Sequence, residues 1–194
     1  MPRAYSLEQS TDLIVSVAIQ NSETDMSTTP QQHKAEASES LGCAVVTVSD
    51  TRTLETDTGG SEVIQRIQAA GHQVVAREIV PDEPSRMKPL LEAFRGDPQV
   101  DVVLMTGGTG ISSRDQTFET VASLLTKPLP GYGELFRRLS YDEIGAAAML
   151  SRATGGLMES TLLLTMPGSP AAVQLAMEKI ILPELSHLVR EARK

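Results

Sequence analysis

The chain has no Trp, three Phe and three Tyr, so any core it builds is aliphatic. Its one cysteine, Cys43, excludes an intrachain disulfide and is compatible with a reducing compartment. Followed by Ala44, Val45 and Val46, Cys43 is expected to pack in a first strand as a small apolar residue. Histidine is also scarce, with His33 near the N-terminus, His72 opening a strand pattern and His187 in the last helical stretch. None has an evident catalytic neighbour in sequence. No Ser-His-Asp pattern is present, and three His and one Cys cannot supply a structural zinc site. Basic residues are outnumbered, 17 Lys and Arg against 25 Asp and Glu, for a net charge of −8. With no dense Lys/Arg run, nucleic acid is not an expected partner. No apolar run approaches the roughly 20 residues of a membrane helix, so the expectation is a cytoplasmic protein with no membrane partner.

What is present divides at residue 40. Residues 1–40 hold two basic and six acidic residues and no glycine. The stretch NSETDMSTTPQQHKAEASES reads as disordered, because it has too few apolar residues to offset the entropy of ordering. Its apolar island LIVSVAI, residues 13–19, is short and weakly flanked for a signal peptide. Residues 1–40 are therefore expected to form a disordered extension, with a translation start at Met26 as the alternative.

From residue 41 to 194 the pattern is regular, as in one α/β domain. CAVVTVSD (43–50) is an apolar run ending in small polar residues, as in a strand buried on both faces. TGGSEVIQRIQAAG (58–71) predicts a helix stopped by Gly71, and HQVVAREIV (72–80) a second strand. A helix within 81–96, a strand over 100–106 and a helix over 115–126 capped by Asp115 follow. Pro89 leaves the start of the first of these helices open. Residues 133–152 predict one or two helices. RATGGLM and STLLLTMP form a strand pair closing the sheet, and a long C-terminal helix is interrupted at Pro183. Strands and helices alternating at this spacing imply βαβ units: a three-layer αβα sandwich around a mostly parallel sheet, with right-handed crossovers.

Ligands of open α/β sheets bind beyond the carboxyl ends of the strands. The unusual polar residues fall there: Ser49-Asp50, Pro81-Asp82-Glu83, Gly107-Gly108-Thr109-Gly110 and Pro167-Gly168-Ser169. The GGTG stretch lies between a strand and a helix, where glycines let backbone N–H groups approach an anion. It is neither a Walker A loop nor a dinucleotide fingerprint, and by itself it equally describes a tight turn. Asp115 beside it would repel phosphates unless Mg²⁺ sits between, since Mg²⁺ takes one or two carboxylates with phosphate oxygens. Asp50, Asp57 and Asp82 have ordinary cap or turn roles open to them. Gathered at one point, they would need a cation or protons. Arg114 either balances that charge or is a solvated surface arginine. Ser49, Thr109, Ser151 and Ser169 are small donors suited to an oxygen-rich ligand.

In this order, VVTVSDTR, IVPDE, TGGTGISSRDQT, LPGYGELFRRLSYDEIGAAAMLSR and TMPGSP resemble the MoaB/MogA family of molybdenum-cofactor biosynthesis. The resemblance runs from about Cys43 to Leu188 and lies nearer the MoaB branch. It implies an α/β three-layer fold assembling as a homotrimer or hexamer. It implies a molybdopterin adenylyltransferase that binds molybdopterin and Mg-ATP, joins AMP to the molybdopterin phosphate and releases pyrophosphate. By motif, it implies Asp82 and Asp115 as acids of catalysis and magnesium binding, and Asp57 as a further acid of the site. It also implies Gly107, Gly108, Thr109 and Gly110 as the nucleotide loop, and Ser49, Asp50, Ser151, Pro167, Gly168 and Ser169 as the ligand pocket. Ser169 is a departure, because characterised adenylyltransferases of the family carry Asn there. Some MoaB-type members lack the activity. A non-catalytic molybdopterin-binding protein and a gephyrin-like oligomerising module therefore remain alternatives.

Overall fold

The computed structural model describes residues 40–194. The expectations for the N-terminal extension and the start at Met26 lie outside the described residues. Three apolar runs become the parallel centre of a six-stranded sheet. They are β1 (Gly42–Val48), β3 (Val102–Thr106) and β6 (Thr161–Met166). Each is buried along almost its whole length because each has a strand on both sides and helices on both faces. β2 (Gln73–Val80) is an edge strand and correspondingly more exposed.

The twofold alternation of the strands feeds two cores. Cys43, Val45, Val102, Leu104, Leu162 and Leu164 face one layer, whose helices are α1 (Thr58–Ala69), α4 (Pro130–Ile144), α5 (Pro170–Ala176) and α6 (Leu182–Ala192). Ala44, Val46, Val103, Met105 and Leu163 face the other, under α2 (Pro84–Arg95) and α3 (Thr117–Leu124). This is the expected three-layer α/β sandwich, and Cys43 is fully buried in it.

The strand order is β2-β1-β3-β6-β5-β4. β5 (Gly155–Met158) and β6 are antiparallel to each other, but β6 runs parallel to β3 and lies inside the sheet. The predicted strand pair therefore forms, but it does not close the sheet. The edge is a two-residue strand, β4 (Lys127–Pro128), too short to leave a periodicity signal. On the other side, β1 sends its chain to β2, and the chain returns across β1 to form β3. The order therefore switches direction between β1 and β3.

Helix ends follow local chemistry with one exception. Asp57 caps α1 by accepting from the Gly60 N–H, and Gly71 ends the turn after it at a φ of 84°. Pro84 opens α2, and Pro89 is absorbed inside it, where it forfeits one N–H donor. The exception is α3. It starts at Thr117, and Asp115 does not cap it; Asp82, arriving from the end of β2, takes the Gln116 N–H instead. The expected C-terminal helix is two α-helices joined by a π-turn at Met177–Ile181, just ahead of Pro183. No helix among the described residues is long and apolar enough to cross a membrane.

Candidate functional site

Because β1, β2, β3 and β6 are mutually parallel, their carboxyl ends lie on one edge of the sheet. That edge gathers the four polar loops singled out in the sequence. The glycine loop after β3 is held close to its neighbours. The Gly107 N–H donates to Met166 O at 3.0 Å. A Cβ on Gly107 would stand 2.3 Å from Val48 O, and one on Gly108 2.1 Å from Thr117 Oγ1 and 2.3 Å from Asp82 Oδ2. Both residues have positive φ, 102° and 63°, so glycine is required twice over. Among the described residues, the N–H groups of Gly108, Thr109, Gly110 and Ile111 donate to no protein acceptor. Four successive donors of this loop are thus left without a protein acceptor among the described residues.

Two carboxylates flank the loop. Asp82 is buried, 5% exposed, and its Oδ1 accepts from the Gln116 N–H at 3.1 Å and from Thr117 Oγ1 at 3.2 Å. Its Oδ2 faces Gly108. Burial pushes the Asp82 carboxyl up, the two hydrogen bonds oppose this, and Asp115 nearby adds to the rise. Asp115 lies against Gly110, and its Oδ2 accepts from the Ser112 N–H at 3.0 Å, closing the turn that carries Arg114.

The mouth of the site is strapped by an ion pair. Arg114 donates through Nε and Nη2 to the two oxygens of Asp50, at 2.8 and 2.7 Å, and lies 3.6 Å from Glu83. The Arg114 hydrogen bonds hold the Asp50 carboxyl below its usual range. Asp50 in turn accepts from the Asp82 N–H at 3.3 Å. Arg114, half exposed, thus links the loops after β1, β2 and β3.

Asp57 sits deeper. It is 2% exposed and accepts from Thr47 Oγ1 at 2.8 Å, from the Gly60 N–H at 2.8 Å and from Arg77 Nη2 at 3.2 Å. Its carboxylate is fully engaged in holding the β1–α1 loop. Two cavities open here. One, of about 180 Å³, lies between the strand ends and is lined by Ser49, Arg52, Asp57, Gly59, Gly107 and Gly168. The larger, about 770 Å³, lies beside it along the β2 edge and brings Asp50, Arg52, Arg77 and Arg114 to its walls. Ser49 and Arg52 belong to both.

The other predicted residues have structural partners of their own. Ser169 caps α5 by accepting from the Ala172 N–H at 3.3 Å, and Pro167 O accepts from Thr106 Oγ1 at 3.2 Å. The Thr109 side chain is buried. Ser151 accepts from the Ala153 N–H and lines neither cavity. Three arginines had not been singled out: Arg52, Arg77 and Arg152. Arg152 carries a signal, since it ends the stretch LPGYGELFRRLSYDEIGAAAMLSR that resembles the family, but its partners are far away in sequence. Arg77 lies mid-strand, where an arginine has no local signature.

The fold and site define a class: a doubly wound α/β protein with a polar crevice at its topological switch point. The family is narrower. Residues 44–187 match the family model described as "probable molybdopterin binding domain". The chain is 52% identical over 165 residues to molybdenum cofactor biosynthesis protein B of Bacillus subtilis, covering 84% of this chain and 97% of that one. A crystal structure of a molybdenum cofactor biosynthesis protein B superposes with a TM-score of 0.78 at 48% identity, over 80% of this chain and 97% of that one. The tungsten cofactor synthesizing protein MoaB from Pyrococcus furiosus does so at 0.71 and 34%, over 80% and 99%. The chain belongs to the MoaB/MogA family of molybdenum-cofactor biosynthesis proteins.

Proposed function

We propose that the chain is a molybdopterin adenylyltransferase. The observation that carries this is the row of four free N–H donors, Gly108 to Ile111, flanked by Asp82 and Asp115. In the reaction, an ionised oxygen of the molybdopterin phosphate attacks the α-phosphorus of ATP. The bond from that phosphorus to the bridging oxygen breaks, and pyrophosphate leaves with the electron pair. Both reactants are anions, so the protein must offset their repulsion and hold them in line. The glycine-loop N–H groups receive the nucleotide phosphates, while Arg52, Arg77 and Arg114 reach the adjoining cavity beside Asp50, Glu78 and Glu83. No general base is required, because the attacking phosphate is already ionised at neutral pH. This agrees with a site built without histidine.

Mg²⁺ would be held here by Asp82 and Asp115, the acids beside the loop. Among the described residues no three His, Cys, Asp or Glu gather to hold a metal. Mg²⁺ bound with a nucleotide takes one or two carboxylates, and Asp82 and Asp115 are two. There it would neutralise phosphate charge. Ser169 leaves the last turn unaltered in kind, since Ser and Asn both cap helices. For assembly we propose a homotrimer or hexamer, supported by the apolar residues Leu135, Ile144, Met149 and Leu150 that α4 and the turn after it expose. Light scattering giving a monomer mass would refute it.

The test is pyrophosphate release from Mg-ATP, with and without molybdopterin, beside Asp115→Ala. Release that needs molybdopterin and is lost in the variant supports the reading. Tight molybdopterin binding without release would replace it with the non-catalytic binder.

A further inference from the structure

The glycine loop needs an external brace. Its residues 107–111 belong to no helix or strand, and four of their N–H groups have no partner among the described residues, so their own hydrogen bonds do not set the loop's shape. Glycine makes such a segment permissive, which lowers its value as a preformed anion site. One residue outside the loop holds it at three points. The Arg152 N–H donates to Thr109 O at 2.9 Å. Its Nε donates to Gly110 O at 2.6 Å, and its Nη2 to Asp115 O at 2.9 Å.

Each of these bonds fixes a peptide plane. In a trans peptide the carbonyl of one residue and the N–H of the next point in opposite directions. Holding Thr109 O, Gly110 O and Asp115 O toward Arg152 therefore turns the N–H groups of Gly110, Ile111 and Gln116 away from it. The first two are among the free donors. The third is the N–H that Asp82 accepts at 3.1 Å. The guanidinium is itself held, paired with Glu119 on α3 and lying 5.4 Å from the centre of the Phe118 ring. The planar fork of arginine spans the two carbonyls from separate nitrogens, whereas the donors of a lysine all lie on one nitrogen.

We infer that Arg152 is a positioning residue for the nucleotide site: it sets the orientation of the glycine-loop N–H groups and of the Gln116–Asp82 contact without touching the substrate. The inference rests on the proposed nucleotide binding at this loop. It separates two affinities. The nucleotide loop depends on Arg152, whereas the loops after β1 and β6 are held by other residues, Ser49 and Thr106 among them.

The experiment compares the full chain with Arg152→Ala and Arg152→Lys. Mg-ATP and molybdopterin binding are titrated separately, with the melting temperature and hydrogen exchange over residues 106–117 measured on the same samples. Arg152→Ala keeps the backbone bond to Thr109 O and removes the two side-chain bonds, and we expect its Mg-ATP affinity to fall about tenfold, the scale of one charge-assisted hydrogen bond. Molybdopterin affinity should stay within about twofold, and Gln116 should exchange faster. Arg152→Lys should lie nearer to Ala than to the native chain. Parallel loss of both ligands would overturn the inference, as would unchanged Mg-ATP affinity. If the native chain binds no Mg-ATP, the nucleotide reading falls, and exchange at Gln116 alone decides the role of Arg152. Faster exchange there at unchanged melting supports it, and unchanged exchange overturns it.

Discussion

Two glycines offer a controlled test of how tightly the site is built. Gly71 and Gly108 both have positive φ, 84° and 63°. Replacing either with alanine should cost about 1–2 kcal/mol of backbone strain. They differ in what the new methyl group meets: nothing lies within 4 Å at Gly71, whereas at Gly108 Asp82 Oδ2 lies at 2.3 Å and Thr117 Oγ1 at 2.1 Å. Neither neighbour can move freely, because Asp82 Oδ1 is bonded to Gln116 N–H and Thr117 is buried at the start of α3. Overpacking of this kind adds about 1–3 kcal/mol. Gly71→Ala should therefore lower stability by about 1 kcal/mol and leave ligand binding intact. Gly108→Ala should lower it by about 3 kcal/mol, or about 6–12 °C in Tm, and abolish Mg-ATP binding. Urea unfolding at matched protein concentration, with the slope compared between variants, measures both. Equal losses in the two variants would show that Asp82 does not press on the loop, and the account of the site would fail with it.

Three further outcomes are expected. Asp57→Ala should cost about 3 kcal/mol or more in urea unfolding, because it leaves Arg77, Thr47 and the start of α1 without their shared acceptor; a loss under about 1 kcal/mol would contradict this. Asp82→Asn should weaken the proposed adenylyl transfer without loss of stability at neutral pH. Burial raises the folded carboxyl above its unfolded value, so stability declines as pH climbs from the ordinary carboxylate range through that raised value. The amide removes that decline, and a metal-free stability profile as steep in Asp82→Asn as in the native chain would refute the assignment. Cys43 should resist alkylation at pH 8 until the chain unfolds, since burial pushes its thiol up to about 12. Rapid labelling of the native protein would contradict its place in the core.

Much of the site could be read before folding because strand ends announce themselves. An apolar run that stops at Ser49-Asp50 or at Gly107-Gly108 marks both a buried strand and the loop beyond it, and parallel strands put such loops on one edge. The role of each acid was harder. Asp115 has the spacing of a helix cap, yet its side chain takes the Ser112 N–H, and the Gln116 N–H at the helix start goes to Asp82, 34 residues before Gln116. Asp57 read equally well as ligand or cap, and its three donors come from three different elements. Arg152 belonged to a visible motif, but its grip on the glycine loop spans 42 residues to Gly110.

Periodicity and punctuation were enough for the layers: alternation along β1, β3 and β6 assigns each side chain to one of two cores, and glycine or proline marks where helices start and stop. These are local properties, carried by a few neighbouring residues. The insertion of β6 between β3 and β5, the capping of α3 by Asp82 and the bracing of the loop by Arg152 are not local. They join residues far apart in the chain. Such a contact depends on which strands become neighbours, and that is settled only when both faces of the sheet are covered together.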